Sequence, residues 1–356
     1  MLRQRVRAGL LLAVVGSLLV GCATNEAGET DSDLEGYLVG AGSSAQSAAQ
    51  DVWITAFQLA NSRVTVSYDP SGSGAGREQF IAGGVDFAGS DAALSDEDLE
   101  EEFGSCAPGA KGINLPVYVS PLVLVYSIDG IDSLRLDAAS IAGIFANQIT
   151  QWNDPALVAL NEGVALPDAA ITAVHRSDDS GTTHNFTDYL FQNEPEIWAA
   201  EPSDTFPFDG EAAQGNAGVV SSVTDGLNSI GYVDASRAGD LDVAELKVGD
   251  EFVPYSAEAA AAIIDASPIA QRDNPNDIVV NVDRTSTAPG VYPLVLVSYL
   301  MACQEYAAPE TGELVRAYFT SVADAEGQNA AAADAGSAPL SSATAERVLA
   351  AIATIK

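Results

Sequence analysis

The sequence predicts an α/β fold with parallel-leaning sheets. Two observations carry that reading. Short apolar segments are followed, several times over, by a Gly/Ser-rich turn and then by a stretch with helical spacing. Residues 117–127 form a near-continuous apolar run, the pattern of a strand buried on both faces. At 356 residues the chain has room for one large domain or two lobes. Its 47% hydrophobic content, with regular patterning, argues against intrinsic disorder.

In chain order, 37–40 reads as a short strand that runs into the turn 41–44. Ser43 or Ser44 is placed to cap a helix over 45–60, where Ala48, Val52, Ala56 and Leu59 share a face. Residues 64–68 alternate as a strand, 69–76 read as a loop, and a helix follows over 77–82. Residues 86–88 form a short buried strand leading to Asp91, and Ser95 with Asp98 makes a capping box. Helices are expected over 138–146 and 155–160. A strand over 171–174 feeds Arg176 and then a helix that reaches Phe191. Further strands fall at 230–233 and 278–282. Residues 292–303 read as a strand passing into a helix, the Ala-rich 330–338 as a surface loop, and 343–355 as a C-terminal helix.

The N-terminus reads as a leader. Arg3, Arg5 and Arg7 precede an apolar run over 10–20, which is too short to span a bilayer comfortably. It ends Leu19-Val20-Gly21-Cys22, which resembles a bacterial lipobox. Residues 1–21 are thus expected to be a lipoprotein signal peptide, with Cys22 lipidated as the new N-terminus. The alternative is an ordinary signal peptide that happens to contain a cysteine. Residues 22–35 are polar and acidic and read as a flexible tether. The expected location is extracytoplasmic, lipid-anchored to the cell membrane. The two remaining cysteines, Cys106 and Cys303, suggest one disulfide in an exported chain, with metal binding by two distant thiols the weaker reading.

Charge narrows the field. With 15 Lys+Arg against 50 Asp+Glu, the formal net charge is −35. That excludes a basic nucleic-acid footprint and docking on anionic lipid through a polybasic patch.

Three turns carry the chemistry: Gly40-Ala-Gly-Ser-Ser44, Ser71-Gly-Ser-Gly-Ala-Gly76 and Asp179-Ser-Gly-Thr-Thr183. Each follows a strand, opens a helix and bears hydroxyls. A helix start offers unpaired N–H groups and a partial positive charge, so it suits an anion. Taken singly, each turn reads as a capped helix in a routine connection. Three in one chain, with Arg176 just ahead of the third, point to an anion site. Enzyme motifs are missing: there is no Walker-type loop, no dinucleotide fingerprint and no Gly-x-Ser-x-Gly elbow. His175 and His184 read as structural or surface residues. Trp53, Trp152 and Trp198 read as packing, and the acidic 96–102 as a solvated face. No cofactor and no metal site is implied.

These motifs give the chain a family resemblance. It resembles the periplasmic phosphate-binding proteins that serve phosphate-specific ABC transporters. The matching segments are Gly40-Ala-Gly-Ser-Ser44, the loop 68–76, Val85-Asp-Phe-Ala-Gly-Ser-Asp91 and its continuation to Ser95, Ile149-Thr-Gln-Trp-Asn-Asp-Pro155, Arg176-Ser-Asp-Asp-Ser-Gly-Thr-Thr183 and Ser229-Ile-Gly-Tyr-Val233. The lipobox and the cysteine pair look like the lipoprotein members of high-GC Gram-positive bacteria.

The resemblance implies a bilobal periplasmic-binding-protein-like fold, two α/β lobes joined by two crossover segments. Lobe 1 would combine 36–120 with 284–356, and lobe 2 would be 121–283. It implies an inorganic phosphate site made of Ser44, the Ala45 backbone, Ser73, Asp91, Arg176, Ser180, Gly181 and Thr182, with Asp178 supporting Arg176. It also implies membrane ABC permease subunits as partners. Asp91 would accept the proton that phosphate carries and sulfate lacks. The alternatives are a binding protein for sulfate or molybdate, and a secreted phosphatase or esterase using Ser180 with His184.

Overall fold

The computed structural model describes residues 32–356. The leader 1–21, Cys22 and the tether as far as 31 lie outside the described residues. The end of the tether is held: Ser32 Oγ donates to Asn61 Oδ1, and Arg63 Nη2 donates to Ser32 O at 2.8 Å.

The strands are β1 (Gly36–Gly42), β2 (Val64–Asp69), β3 (Phe87–Ser90), β4 (Gly112–Ser127), β5 (Arg135–Leu136), β6 (Thr172–Arg176), β7 (Glu211–Ala213), β8 (Ser229–Asp234), β9 (Asp242–Val243), β10 (Glu245–Val248), β11 (Glu251–Val253) and β12 (Val295–Cys303). The helices are α1 (Ser47–Ala60), α2 (Ser73–Ala82), α3 (Ala138–Phe145), α4 (Pro155–Leu160), α5 (Gly181–Asn193), α6 (Gly215–Asp225), α7 (Ala257–Ala266), α8 (Pro309–Ala323), α9 (Ala325–Ala335) and α10 (Ser342–Ile352).

One nine-stranded sheet runs β2-β1-β3-β12-β4-β8-β6-β7, with β9 also on β4. Its two ends are parallel, β2-β1-β3 and β8-β6-β7. That is the outcome expected when each strand is followed by a crossover helix. The middle is antiparallel and built on β4, of which all residues but the last are buried. Residues 112–121 of β4 pair with β12, and 122–127 pair with β8. Pro121, which has no N–H to give a ladder, sits at the change of neighbour. The sheet thus divides into two α/β lobes that share one strand, and the chain returns ahead of β12.

Each half packs on both faces. Beside β8 and β6, Val123, Val125, Val174, Val219, Val223 and Val233 form a core under α6. On the other face Phe145, Phe186, Trp198, Phe206 and Tyr232 pack ring to ring. Burying a side chain such as Phe186 contributes roughly 1.5–3 kcal/mol. Trp53 and Trp152 are buried as well, as packing residues should be. Cys106 and Cys303 form a disulfide across 197 residues of sequence. Among the described residues no helix is long and apolar enough to cross a membrane.

Several local expectations are corrected. Helix α2 starts at Ser73, not 77, so Gly74 and Gly76 lie in its first turns. Glycine is needed there because a Cβ on Gly76 would fall 2.5 Å from Gly42 Cα. Helix α1 starts at Ser47, and Ser43 Oγ caps the turn ahead of it by accepting from the Ala45 and Gln46 N–H groups. Residues 278–282 make only an isolated bridge, Ile269 to Val280. β12 stays extended to Cys303, because β3 and β4 pair with it on both sides. Of the Ala-rich stretch, 330–335 are not a loop but the end of α9, whose Ala331 and Ala335 are buried and whose Gly327 O accepts from Trp53 Nε1 at 2.9 Å; only 336–338 lie beyond the helix. Part of 268–282 lies against the first half: Arg272 Nη2 donates to Leu94 O and Ile278 N to Asn114 O.

Candidate functional site

The predicted turns converge where the two halves of the sheet meet. On the first half, β3 ends at Ser90 and delivers Asp91, which is 3% exposed. Its Oδ1 accepts from Ser43 Oγ at 2.5 Å and Ser298 Oγ at 2.6 Å. Its Oδ2 accepts from Thr182 Oγ1 at 3.0 Å, across from the other half. Burial pushes the Asp91 carboxyl up, against the pull of Ser298, Ser43, Thr182 and the Arg176 charge. A carboxylate has about four acceptor sites. Three are filled, both on Oδ1 and one on Oδ2, so Oδ2 retains one.

On the second half, β6 ends at Arg176, which is 2% exposed. Its Nε donates to Asp178 Oδ1 at 2.8 Å and its Nη2 to Asp178 Oδ2. Burial works to raise Asp178, but the Arg176 hydrogen bonds and charge outweigh it and hold the carboxyl below its usual range. Nη1 is buried with no hydrogen-bond partner among the described residues. Four residues further on, Ser180 caps α5 by accepting from Thr183 N at 3.1 Å. Gly181 and Thr182 then open the helix, where N–H groups have no intrahelical partner.

The halves touch here. A Cβ on Gly181 would lie 2.6 Å from Ser73 Oγ and 2.7 Å from Asp91 Cβ, so only glycine admits this approach. Gly74 N donates to Asp179 O at 3.0 Å, and Asn185 Nδ2 to Asp91 O at 2.6 Å. At the rim, Arg77 pairs with Asp204, and His184 Nδ1 lies 3.2 Å from Asp204 Oδ1. Burial works to raise Asp204, yet His184 and Arg77 lower it to about 2.

Ser73 and Ser180 share a useful feature. Ser73 Oγ accepts from Asp91 N at 3.1 Å, as Ser180 Oγ accepts from Thr183 N. A hydroxyl oxygen that accepts an N–H still has its own proton to donate. Ser44 Oγ accepts two donors, the backbone N and the side-chain Nδ2 of Asn216. Ala45 departs from expectation: its N–H donates to Ser43 Oγ at 3.1 Å. His175 stacks on Phe206 with centroids 4.3 Å apart, a packing role.

Sequence reasoning missed Ser43, Asn185, Asn216 and Ser298 as members of this cluster. Ser298 sits within an apolar strand 207 residues from Asp91, and Asn216 is 172 residues from Ser44. Gly215-Asn216 had one usable signal, a Gly-Asn pair opening a helix.

A family model described as a PBP superfamily domain matches residues 27–326, which sets the class of the protein. Phosphate-binding protein PstS 3 of Mycobacterium leprae is 33% identical over 333 residues, covering 88% of this chain and 89% of that relative. Phosphate-binding protein PstS of Haemophilus influenzae is 31% identical over 301 residues, covering 83% and 86%. The solved structure of the periplasmic phosphate-binding protein PfluDING, bound with phosphate, shares the fold at a TM-score of 0.72. Its identity is 23%, over 88% of this chain and 93% of that one. The chain belongs to the PstS family of phosphate-binding proteins.

Proposed function

We propose that this protein captures inorganic phosphate between its lobes and delivers it to a membrane ABC permease for import. The observation that carries the reading is the free end of a buried guanidinium. Arg176 spends Nε and Nη2 on Asp178 and keeps Nη1 unpartnered among the described residues. A buried cation with one open donor calls for an anionic acceptor. Around it, Ser44, Ser73 and Ser180 have oxygens already engaged as acceptors, and so have protons to give.

In this reading Gly181 and Thr182 add the donors of the α5 start, and the Ala45 N–H is shared with Ser43. Asp91 takes the proton of a protonated phosphate at the open site on Oδ2. Sulfate has no such proton, and its oxygens would face a buried carboxylate. Lobe 1, 36–120 with 284–356, supplies Ser44, Ser73 and Asp91. Lobe 2, 121–283 without the part of 268–282 that lies against the first half, supplies Arg176, Ser180 and Thr182. Ligand bridging both sets favours the closed lobes that a permease would recognise. We also infer that the protein works outside the cytoplasm, held by a lipid on Cys22.

The named relatives are binding proteins, which favours transport over catalysis. The hydrolase reading gains nothing from Ser180 and His184, since Ser180 Oγ caps α5 and His184 faces Asp204. A sulfate or molybdate protein would have little use for Asp91. The test is calorimetry of the protein, stripped of bound anion, with phosphate, arsenate and sulfate. Binding of phosphate and arsenate but not sulfate is expected. A lack of phosphate binding at two temperatures would refute the reading.

A further inference from the structure

We propose that Asn216 is a positioning residue for anion capture, fixing the Ser44 hydroxyl as a donor from across the cleft. The inference rests on the phosphate reading and adds a residue to it.

Ser44 follows β1, on the first half of the sheet. Asn216 is the second residue of α6, on the second half, and is fully buried. Its backbone N donates to Ser44 Oγ at 3.3 Å, and its side-chain Nδ2 donates to the same oxygen at 3.1 Å. A hydroxyl has two acceptor lone pairs and one proton. One residue fills both lone pairs, so Ser44 has only its proton to offer. No acceptor for that proton occurs among the described residues. A freely rotating hydroxyl could equally turn a lone pair toward an anion. Asn216 removes that option before the ligand arrives, which spares the orientational cost of binding.

Asn216 is itself held in place. Its Oδ1 accepts from Asp234 N at 3.0 Å, so a flipped amide would lose both that bond and the one to Ser44. The residue before it extends the same logic. Gly215, at φ +67°, donates its N–H to Asp178 Oδ1 at 3.0 Å. That oxygen also receives Arg176 Nε. A single turn therefore braces the partner of Arg176 on its own half and orients Ser44 on the other. When the lobes separate, Ser44 loses both donors and its hydroxyl regains rotation. Its quality as a donor is tied to closure.

The test is a double-mutant cycle on the full chain, using Ser44→Ala, Asn216→Ala and the pair. Phosphate affinity and dissociation rate are measured, along with the thermal midpoint without phosphate. Ser44→Ala is expected to lose about tenfold or more in affinity, with faster release, as for a hydrogen bond to a charged group. Asn216→Ala, which keeps the backbone donor to Ser44 Oγ, is expected to lose a severalfold part of that. The double variant should be little weaker than Ser44→Ala alone, because Asn216 acts through that hydroxyl. Asn216→Asp keeps an acceptor for Asp234 N but turns an oxygen toward Ser44. It should bind phosphate more weakly than Asn216→Ala while keeping its fold. Losses that simply multiply in the double variant, or unchanged affinity in Asn216→Ala, overturn the proposal and leave the phosphate reading standing. A wild-type protein that does not bind phosphate removes both.

Discussion

The two sides of the cleft solve different problems. The Asp91 side is a carboxylate enclosed by hydroxyls from Ser43, Ser298 and Thr182. The Arg176 side is a guanidinium locked by one carboxylate and followed by a helix start. The second side can attract any oxyanion of the right size, because positive charge and N–H groups do not ask what the oxygens carry. The first side can refuse, because a buried acceptor left facing an unprotonated oxygen costs free energy. In the proposed phosphate site, attraction and selection thus come from different halves of the sheet, and changes on each side should move different measurements.

The largest effect belongs to the attracting side. Arg176→Met should lower phosphate and arsenate affinity alike, by about a hundredfold or more, given the roughly 2–5 kcal/mol cost of truncating one partner of a buried charge pair in a complex. Asp178 is then left without its cation, so Arg176→Met with Asp178→Asn should recover stability and not affinity. Titration calorimetry with denaturant melts separates the two. Recovered affinity in the double variant would break the division of labour.

A second test compares two buried carboxylates. Asp91 has Arg176 nearby, whereas Asp234 has one oxygen without a partner among the described residues, and burial raises its pKa to about 6. A folded carboxyl with a raised pKa holds its proton more tightly than the unfolded chain does. Stability should therefore rise as pH falls from about 6 toward 4, and ionised Asp234 should cost stability above that window. Asp234→Asn keeps an acceptor for Tyr118 and Ser236. It should stabilise the protein by about 2–3 kcal/mol at pH 8 and remove the Asp234 share of the rise, leaving that of Asp91, as read by urea unfolding at both ends of the window.

Asp91→Asn should act on the refusing side. It should narrow the preference for phosphate over sulfate by about 1–3 kcal/mol, mainly by letting sulfate bind. Full selectivity in competition titrations would show that Asp91 is not the filter. The smallest effect concerns the exterior. A net charge of −35 should slow phosphate entry, so stopped-flow association should quicken modestly with ionic strength while dissociation stays level.

The strand–turn–helix units were legible because glycines and hydroxyls at a strand end have few other uses. Asp91 came only from the family resemblance, whereas Arg176 and the α5 start were singled out in that way. Asn216 and Ser298 were not, because their partners lie 172 and 207 residues off and only the closing of the sheet brings them together. Glycines misled the reading of α2: their composition says loop, but Gly74 and Gly76 are small because Asp179 and Gly42 press on the helix. Alanines misled the reading of α9 for a related reason. A run of small apolar residues has no periodicity to read until α1 lies against it.

The strand β4 has a further consequence. It is an inner strand of both cores, with Pro121 between its two sets of partners. Neither half can be excised as a module without either stealing this strand or leaving a bare apolar edge, a template for aggregation. Biosensor designs that split the protein should thus place their break in a surface loop and keep 112–127 whole, so that both fragments are completed by the same shared spine.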